Sequence, residues 1–399
     1  MAPAKKRRRT SANPEEEEDK HSLFTQWSKD RGVQIDHVKP SIIPGRGVGL
    51  VTTTKIKQDT QLIFVPEKAM FKPAKLSSTS PQPSPQAHLA MSIMSACLDS
   101  SSQYHTWRET WPTPRDFQSS MPLFWPANLT AHLPPSILQP LDRMREDYET
   151  DWKYVHSVHA VWEEEYFKYY WAIVNSRSFH FKPPGAKPGF MVLCPFVDYM
   201  NHGPSGTGVK VRQTAKGYEV VADRDYEPGV EILATYGAHP NDKLLVHYGF
   251  VNSSSAEEPS DDDIRLDYII LPKLSETTKS QLQDVGYLGA YALLPPSSQR
   301  SKAEICFKTQ VAIRAELLTA NEWEYFMLNG EDMTTDQSGK VTEWLRPLLE
   351  EYRGQAKDKL GELGMIEVEV ESTEAGAVFW LKTRWKQVED ALEAFLQSA

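Results

Sequence analysis

The sequence predicts an α+β protein, in which short strands interrupted by a helical stretch precede a mostly α-helical C-terminal domain. Three observations carry this expectation. Strand-like runs such as "LIFVPE" (Leu62 to Glu67) lie among glycine and proline turns from Phe24 to about Ala69, and similar runs recur between Phe190 and Val251. Between them, from about His88 to Phe179, aromatic residues and helix formers dominate. From Arg265 onward the periodicity is helical, over Val311 to Leu328, over Val341 to Leu363 and in the closing "WLKTRWKQVEDALEAFLQ".

The elements follow in order along 399 residues, a length that suits two or three domains. Met1 to Lys20 carries a basic block, Lys5 to Arg9, and then an acidic one, Glu15 to Asp19. Neither block can bury apolar area, so the tail is expected to be disordered. The basic block reads either as a nuclear import signal or as a solvated tail. Leu76 to Gln86, rich in Ser and Pro, reads as a loop. Trp152, Val155, His159, Trp162, Tyr166 and Tyr169 share helical spacing, which predicts one largely buried helix over Tyr148 to Tyr170. Pro183 to Gly189 is a loop, and the acidic run Ser253 to Asp263 reads as an inter-domain linker. The resulting domains are a tail (1–20), a strand-rich domain (21–252) with a helical insertion (88–179), a linker (253–264) and a helical domain (265–399).

Bulk properties exclude several classes. No apolar run approaches the roughly 20 residues that span a bilayer, and the N-terminus has no apolar secretory core. A formal net charge of −10 disfavours nucleic acid as a partner of the whole body but suits a basic protein segment. Cys97, Cys194 and Cys306 are far apart, odd in number and without a CxxC pair. That fits a reducing compartment and argues against a thiolate zinc cluster. His156 and His159 lack a third ligand, "SDDDIRLD" lacks calcium-loop spacing, and no nucleophile elbow or phosphate loop is present. No metal is expected.

The chemistry concentrates in four segments: "PGRGVGLVTTTKI" (Pro44 to Ile56), "WAIVNSRSF" (Trp171 to Phe179), "PFVDYMNHG" (Pro195 to Gly203) and "GVEILATYGAHPNDKLLVHYGFV" (Gly229 to Val251). Singly, each has a bland reading. The glycines suit a hairpin turn, an Asn-His pair suits a capping loop, a buried Tyr suits the core and Arg177 suits an ion pair. Together and in this order, over about residues 25 to 252, they resemble the SET methyltransferases. They are closest to the subgroup typified by the Rubisco large-subunit lysine methyltransferase. "RAELLTANEWEYF" from Arg314 is similar, less specifically, to that subgroup's C-terminal substrate-binding domain.

The resemblance implies a SET β-fold with a helical insertion and a pseudoknot, the Asn-His segment threading beneath the chain near Tyr236. It implies S-adenosylmethionine as cofactor and transfer of its methyl group to a lysine amine of a protein substrate. Arg46 and Val48 would offer backbone groups to the cofactor, with Arg177 near its carboxylate and Asn201 and His202 on its adenosine and amine. Tyr248 and Phe250 would wall the cofactor and the lysine channel, which makes Tyr248 a substrate contact too. Tyr236 would be the catalytic residue beside the transferring methyl and the incoming lysine, and Asp198 an acid near the substrate. Two departures stand out. Phe181 occupies the place of a second substrate arginine, and the zinc-binding cysteines that follow many SET domains are missing, so the C-terminal domain is expected to close the channel. Histidine as acceptor, a catalytically silent peptide-binding adaptor and a nucleic-acid-associated protein are the alternatives. The expected enzyme is a monomer without membrane or direct nucleic-acid contact, nuclear if the basic block directs import and otherwise cytoplasmic.

Overall fold

The computed structural model describes residues 14–75, 82–98, 101–182, 185, 189–253, 256–333 and 337–398, with side chains from residue 20 onward. Lys5 to Arg9, most of the Pro183 to Gly189 loop and the first half of the Ser/Pro-rich stretch lie outside these residues. The chain divides into two compact units, Met1–Thr113 with Tyr148–Tyr236, and Pro114–Asp147 with Gly237–Ala399. The division falls at Gly237, ahead of the acidic run, and splits the helical insertion between the units.

The first unit opens on a helix, Pro14–Asp30, where a disordered tail and then strands were expected. The reason is spacing. His21, Phe24, Trp27 and Ser28 fall on one helical face, and all four are buried. Ten strands follow: β1 (Gln34–Ile35), β2 (Val38–Ile43), β3 (Gly47–Thr52), β4 (Gln61–Pro66), β5 (Ser178–Phe181), β6 (Phe190–Leu193), β7 (Asn201–His202), β8 (Lys210–Thr214), β9 (Gly217–Val221) and β10 (Glu231–Ala234). One sheet has the order β1-β4-β9-β8 and the other β2-β3-β10-β7, while β5 pairs with β6. In β4, Leu62, Ile63 and Val65 are fully buried, as the apolar run implied. Every named pairing in this unit is antiparallel except β7 with β10, where Leu233 faces Asn201 and Ala234 faces His202. Parallel neighbours need a long crossover. Here it contains the β8–β9 hairpin, which belongs to the other sheet.

The helix expected over Tyr148 to Tyr170 is two helices, Pro135–Val158 and Glu164–Arg177. His159 and Trp162 stack in the turn between them at 4.0 Å, and Glu164 and Glu165 then suit the positive end of a new helix. Tyr166 is consequently 58% exposed, while Val155, Phe167, Tyr170 and Trp171 are buried. Trp171 donates to the Asp151 carboxylate at 2.8 Å, so its one polar atom is satisfied inside the core. Burying a side chain of this size contributes roughly 1.5–3 kcal/mol.

The second unit is mostly helical, with a small sheet of β11 (Ile264–Arg265), β12 (Ala292–Leu294) and β13 (Glu304–Ile305). The stretch Val311 to Leu328 also resolves into two helices, Phe307–Leu317 and Ala320–Asn329. Leu318 turns extended and ends the first, and Thr319 caps the second, closing a capping box with Glu322. Ser338–Gly364 and Thr373–Ser398 pack together and bury Leu345, Leu349, Tyr352, Leu381 and Trp385. Arg384 is fully buried on the last helix and lies 2.7 Å from both Asp242 and Asp262. The acidic run is therefore not a plain linker at its C-terminal end, because a buried guanidinium requires anions beside it. No helix among the described residues is long and apolar enough to cross a membrane, and no cluster there could hold a metal ion.

Candidate active site

In the first unit, β2 and β3 meet in the glycine turn. Gly45 and Gly47 both have φ of +74°, a conformation that costs glycine nothing. A Cβ added to either would meet open space, so this side of the turn is bare. The turn uses the Arg46 amide itself, which donates to Ile43 O at 3.0 Å. It is the Arg46 guanidinium that reaches inward, donating to His202 O at 2.6 Å and lying 3.3 Å from Glu231 Oε2. Val48 is half-buried and sits opposite Ile42 in the β2–β3 register. Gly49 is required for space, since a Cβ there would stand 2.8 Å from Asn201 Nδ2 and 2.7 Å from Glu231 Oε1.

The parallel pairing of β7 with β10 sets the next layer. Asn201 donates its side-chain N–H to Glu231 Oε1 at 2.8 Å. His202 is buried, and its Nδ1 accepts the backbone N–H of Tyr236 at 3.1 Å. A neutral His202 ring accepting at Nδ1 carries its proton on Nε2. The His202 and Tyr236 rings lie 5.1 Å apart, and the Tyr236 hydroxyl donates to Met200 O at 2.6 Å. Arg46, Asn201, His202 and Tyr236 are thus brought together around Glu231 and Met200, neither of which was singled out from the sequence. The available signal for Glu231 was an acid heading the otherwise apolar strand "EILA".

Arg177 and Asp198 form an adjoining pair. Arg177 donates to Asp198 O at 2.9 Å and lies 3.6 Å from its carboxylate. Trp107 donates to the same carboxylate at 3.2 Å. The Asp198 side chain is only 3% exposed. Burial holds its carboxyl above the usual range, against the opposing pull of Arg177 and Trp107. Its Oδ1 has no hydrogen-bond partner among the described residues. Tyr248 and Phe250 belong to the second unit. Tyr248 ends the helix Asn241–Tyr248, Gly249 turns the chain with φ of +77°, and the two aromatic rings lie 6.3 Å apart. Burial raises the Tyr248 hydroxyl above its ordinary pKa. Phe181, in β5, is fully buried against Phe190 and Tyr218 and presents no polar group.

Two small sheets, tied by a parallel crossing that sets an Asn-His pair against a tyrosine, define a class of protein. Residues 47–237 match the SET domain family model, so the chain carries a SET domain over that span. Its fold, SET-like sheets followed by a helical C-terminal region, is similar to that of solved Rubisco LSMT structures. A solved structure of Rubisco LSMT bound to AdoMet matches 94% of this chain and 91% of its own, with a TM-score of 0.57 at 15% identity. Another, of the LSMT SET domain bound to lysine and AdoHcy, matches equally well. A ribosomal lysine N-methyltransferase of Schizosaccharomyces pombe is 26% identical over 333 residues, 80% of this chain and 79% of that protein. SET domain-containing protein 4 of Homo sapiens is 22% identical over 57% of each chain.

Proposed function

We propose that the protein transfers the methyl group of S-adenosylmethionine to the side-chain amine of a lysine in another protein. The single observation that carries this reading is the Arg46–Glu231–Asn201–His202 cluster beside the Tyr236 hydroxyl. A carboxylate, a guanidinium and a carboxamide around a bare glycine turn fit the zwitterionic end of the cofactor. Glu231 matches its ammonium, Arg46 and Arg177 match its carboxylate, and Asn201 and the His202 backbone supply further hydrogen bonds. When bound, the cofactor supplies an electrophilic methyl on a sulfonium, and no metal is needed.

The remaining work falls to this chain's own residues. The Tyr236 hydroxyl directs its O–H at Met200 O, so its oxygen offers acceptor lone pairs to whatever approaches it. Such an oxygen stabilises a polarised methyl and orients an incoming amine. A lysine ammonium has a reference pKa of about 10.4, and apolar surroundings lower it. Holding the amine in line with the methyl contributes through orientation. Asp198 is proposed to face the substrate side through its unpartnered Oδ1.

Ribosomal proteins are the first substrate class to test, because the Schizosaccharomyces pombe relative and two Saccharomyces cerevisiae relatives are named ribosomal lysine N-methyltransferases. Purified protein incubated with methyl-labelled cofactor and a ribosomal fraction is expected to label a protein band. Mass spectrometry is expected to place the label on lysine. Label on histidine would replace the acceptor, and no label with any extract would leave a binding module. The Lys5 to Arg9 block supports a nuclear location, and a monomer acting without nucleic acid or membrane remains the working assignment.

A further inference from the structure

We infer that His21, on the N-terminal helix, is a positioning residue for methyl transfer that acts through Tyr199. The inference rests on the proposed reaction and adds to it a group far from the family motifs in sequence.

The segment Phe196–His202 carries most of the site. Asp198 O receives Arg177, Met200 O receives Tyr236, and Asn201 and His202 hold Glu231, Arg46 and the Tyr236 amide. The segment is poorly held by its own backbone. Phe196 has φ of +72°, a region that side-chain-bearing residues avoid. The two hydrogen bonds inside the following turn are long, Tyr199 N to Phe196 O at 3.3 Å and Met200 N to Val197 O at 3.2 Å. A strained turn with weak internal bonds keeps its shape only if its surroundings impose it.

The N-terminal helix imposes it. His21 Nδ1 and the Tyr199 hydroxyl share a buried hydrogen bond of 2.7 Å. One turn along the same face, fully buried Phe24 packs edge-on to Tyr199 at 5.5 Å and against Phe196 at 6.5 Å. Phe24 also stacks on Trp107 at 6.0 Å, and Trp107 donates to the Asp198 carboxylate. On this helix Phe24 supplies apolar bulk and His21 the directional bond to Tyr199, whose hydroxyl is also hydrogen-bonded with Thr110, and directional bonds set rotation as well as distance. The bond fixes Tyr199, and Tyr199 immediately precedes Met200, whose carbonyl stands 2.6 Å from the Tyr236 hydroxyl. Losing it frees the turn to rotate and displaces the acceptor that orients Tyr236. Arg46 in the β2–β3 turn and Glu231 in β10 lie outside the Phe196–Met200 turn and meet the segment only at Asn201 and His202, which β7 pairing with β10 holds independently.

The test uses the full chain, a substrate that the wild type methylates, and single-turnover rates at saturating cofactor. His21→Leu keeps apolar bulk and removes the hydrogen bond. It is expected to lower the rate about 5- to 20-fold, with the cofactor dissociation constant within about 2-fold and the thermal midpoint within a few degrees of wild type. Tyr199→Phe is expected to match it, and the double variant to be no slower than either single one. His21→Asn places a carboxamide where Nδ1 stood and is expected to recover most of the rate. An unchanged rate in His21→Leu, additive losses in the double variant, or no recovery with His21→Asn would each overturn the positioning role. If the wild type itself transfers no methyl to any protein, the functional reading fails, and that result is distinct from all three.

Discussion

Asn201 and Glu231 meet across the parallel strand pair β7–β10, with the Asn201 carboxamide donating to the Glu231 carboxylate at 2.8 Å. That bond fixes the orientation of the Asn201 carboxamide on β7. It also leaves the second carboxylate oxygen for Arg46, so one acid orients two cofactor-binding candidates.

Glu231→Gln keeps the shape and removes the charge. Its carboxamide can still accept from Asn201, but it no longer attracts Arg46 or an ammonium. Cofactor affinity is expected to fall by about 5- to 30-fold, or about 1–2 kcal/mol, because hydrogen bonds to charged groups are the stronger ones. Calorimetric titration with S-adenosylhomocysteine reads this directly, and unchanged affinity would reduce Glu231 to a structural acid.

Tyr236 and Asn201 should separate in a kinetic comparison. Tyr236→Phe keeps the ring beside His202 and removes the oxygen. It is expected to cost about 2–4 kcal/mol of transition-state stabilisation, with cofactor affinity changed by under about threefold. Asn201→Ala is expected to cost about 1–3 kcal/mol of cofactor affinity. If Tyr236→Phe loses binding but keeps its saturated rate, or Asn201→Ala binds normally, the two roles are wrongly assigned.

In the second unit, stability should depend on balance around Arg384. Arg384→Met leaves Asp242 and Asp262 buried without their cation, at an expected cost of about 3–5 kcal/mol. Combining it with Asp242→Asn and Asp262→Asn removes all three charges and is expected to cost less than the single change. Urea midpoints compare the two, and a triple variant weaker than the single one would contradict a penalty from uncompensated charge.

His247 should make the protein acid-sensitive. Burial first, then the charges of Lys243 and His239, pushes its imidazole from 6.5 down to about 4. The folded value lies below the unfolded one, so this stabilisation is present above about pH 6.5 and is lost as pH falls through about 4. Its size is on the order of 2–3 kcal/mol, reduced by partial solvent access. The unfolding midpoint of wild type should fall between pH 6.5 and 4 more steeply than that of His247→Gln. Parallel curves would show that other groups set the acid limit.

Localisation tests the basic block separately from the enzyme. A fluorescent fusion of the full chain is expected in the nucleus, and one lacking residues 1–12 in the cytoplasm. An identical distribution of the two leaves Lys5 to Arg9 as a solvated tail.

The order of the glycine turn, the Ser-Arg element, the Asn-His pair and the "ATYG" tyrosine was enough to reach the family, and with it the α+β fold and the cofactor class. Those features are local, because a turn needs its glycines and a buried strand its apolar run wherever they are placed. What only the tertiary structure decided is the set of partners. Glu231 and Met200 stand inside motif segments with nothing to single them out, Trp107 stands outside them, and each acquires its place because a crossing strand or a packed helix brings it within hydrogen-bond reach of a residue far away in the chain. The same holds for the N-terminal helix. Its buried face is visible as spacing, but the hydrogen bond from His21 to Tyr199 spans 178 positions, and no local pattern encodes a separation of that kind. Helix breaks were missed for a related reason. Aromatic spacing continues through His159 and Trp162 as though the helix were unbroken, whereas only the packed structure shows that the chain turns there and begins again at Glu164.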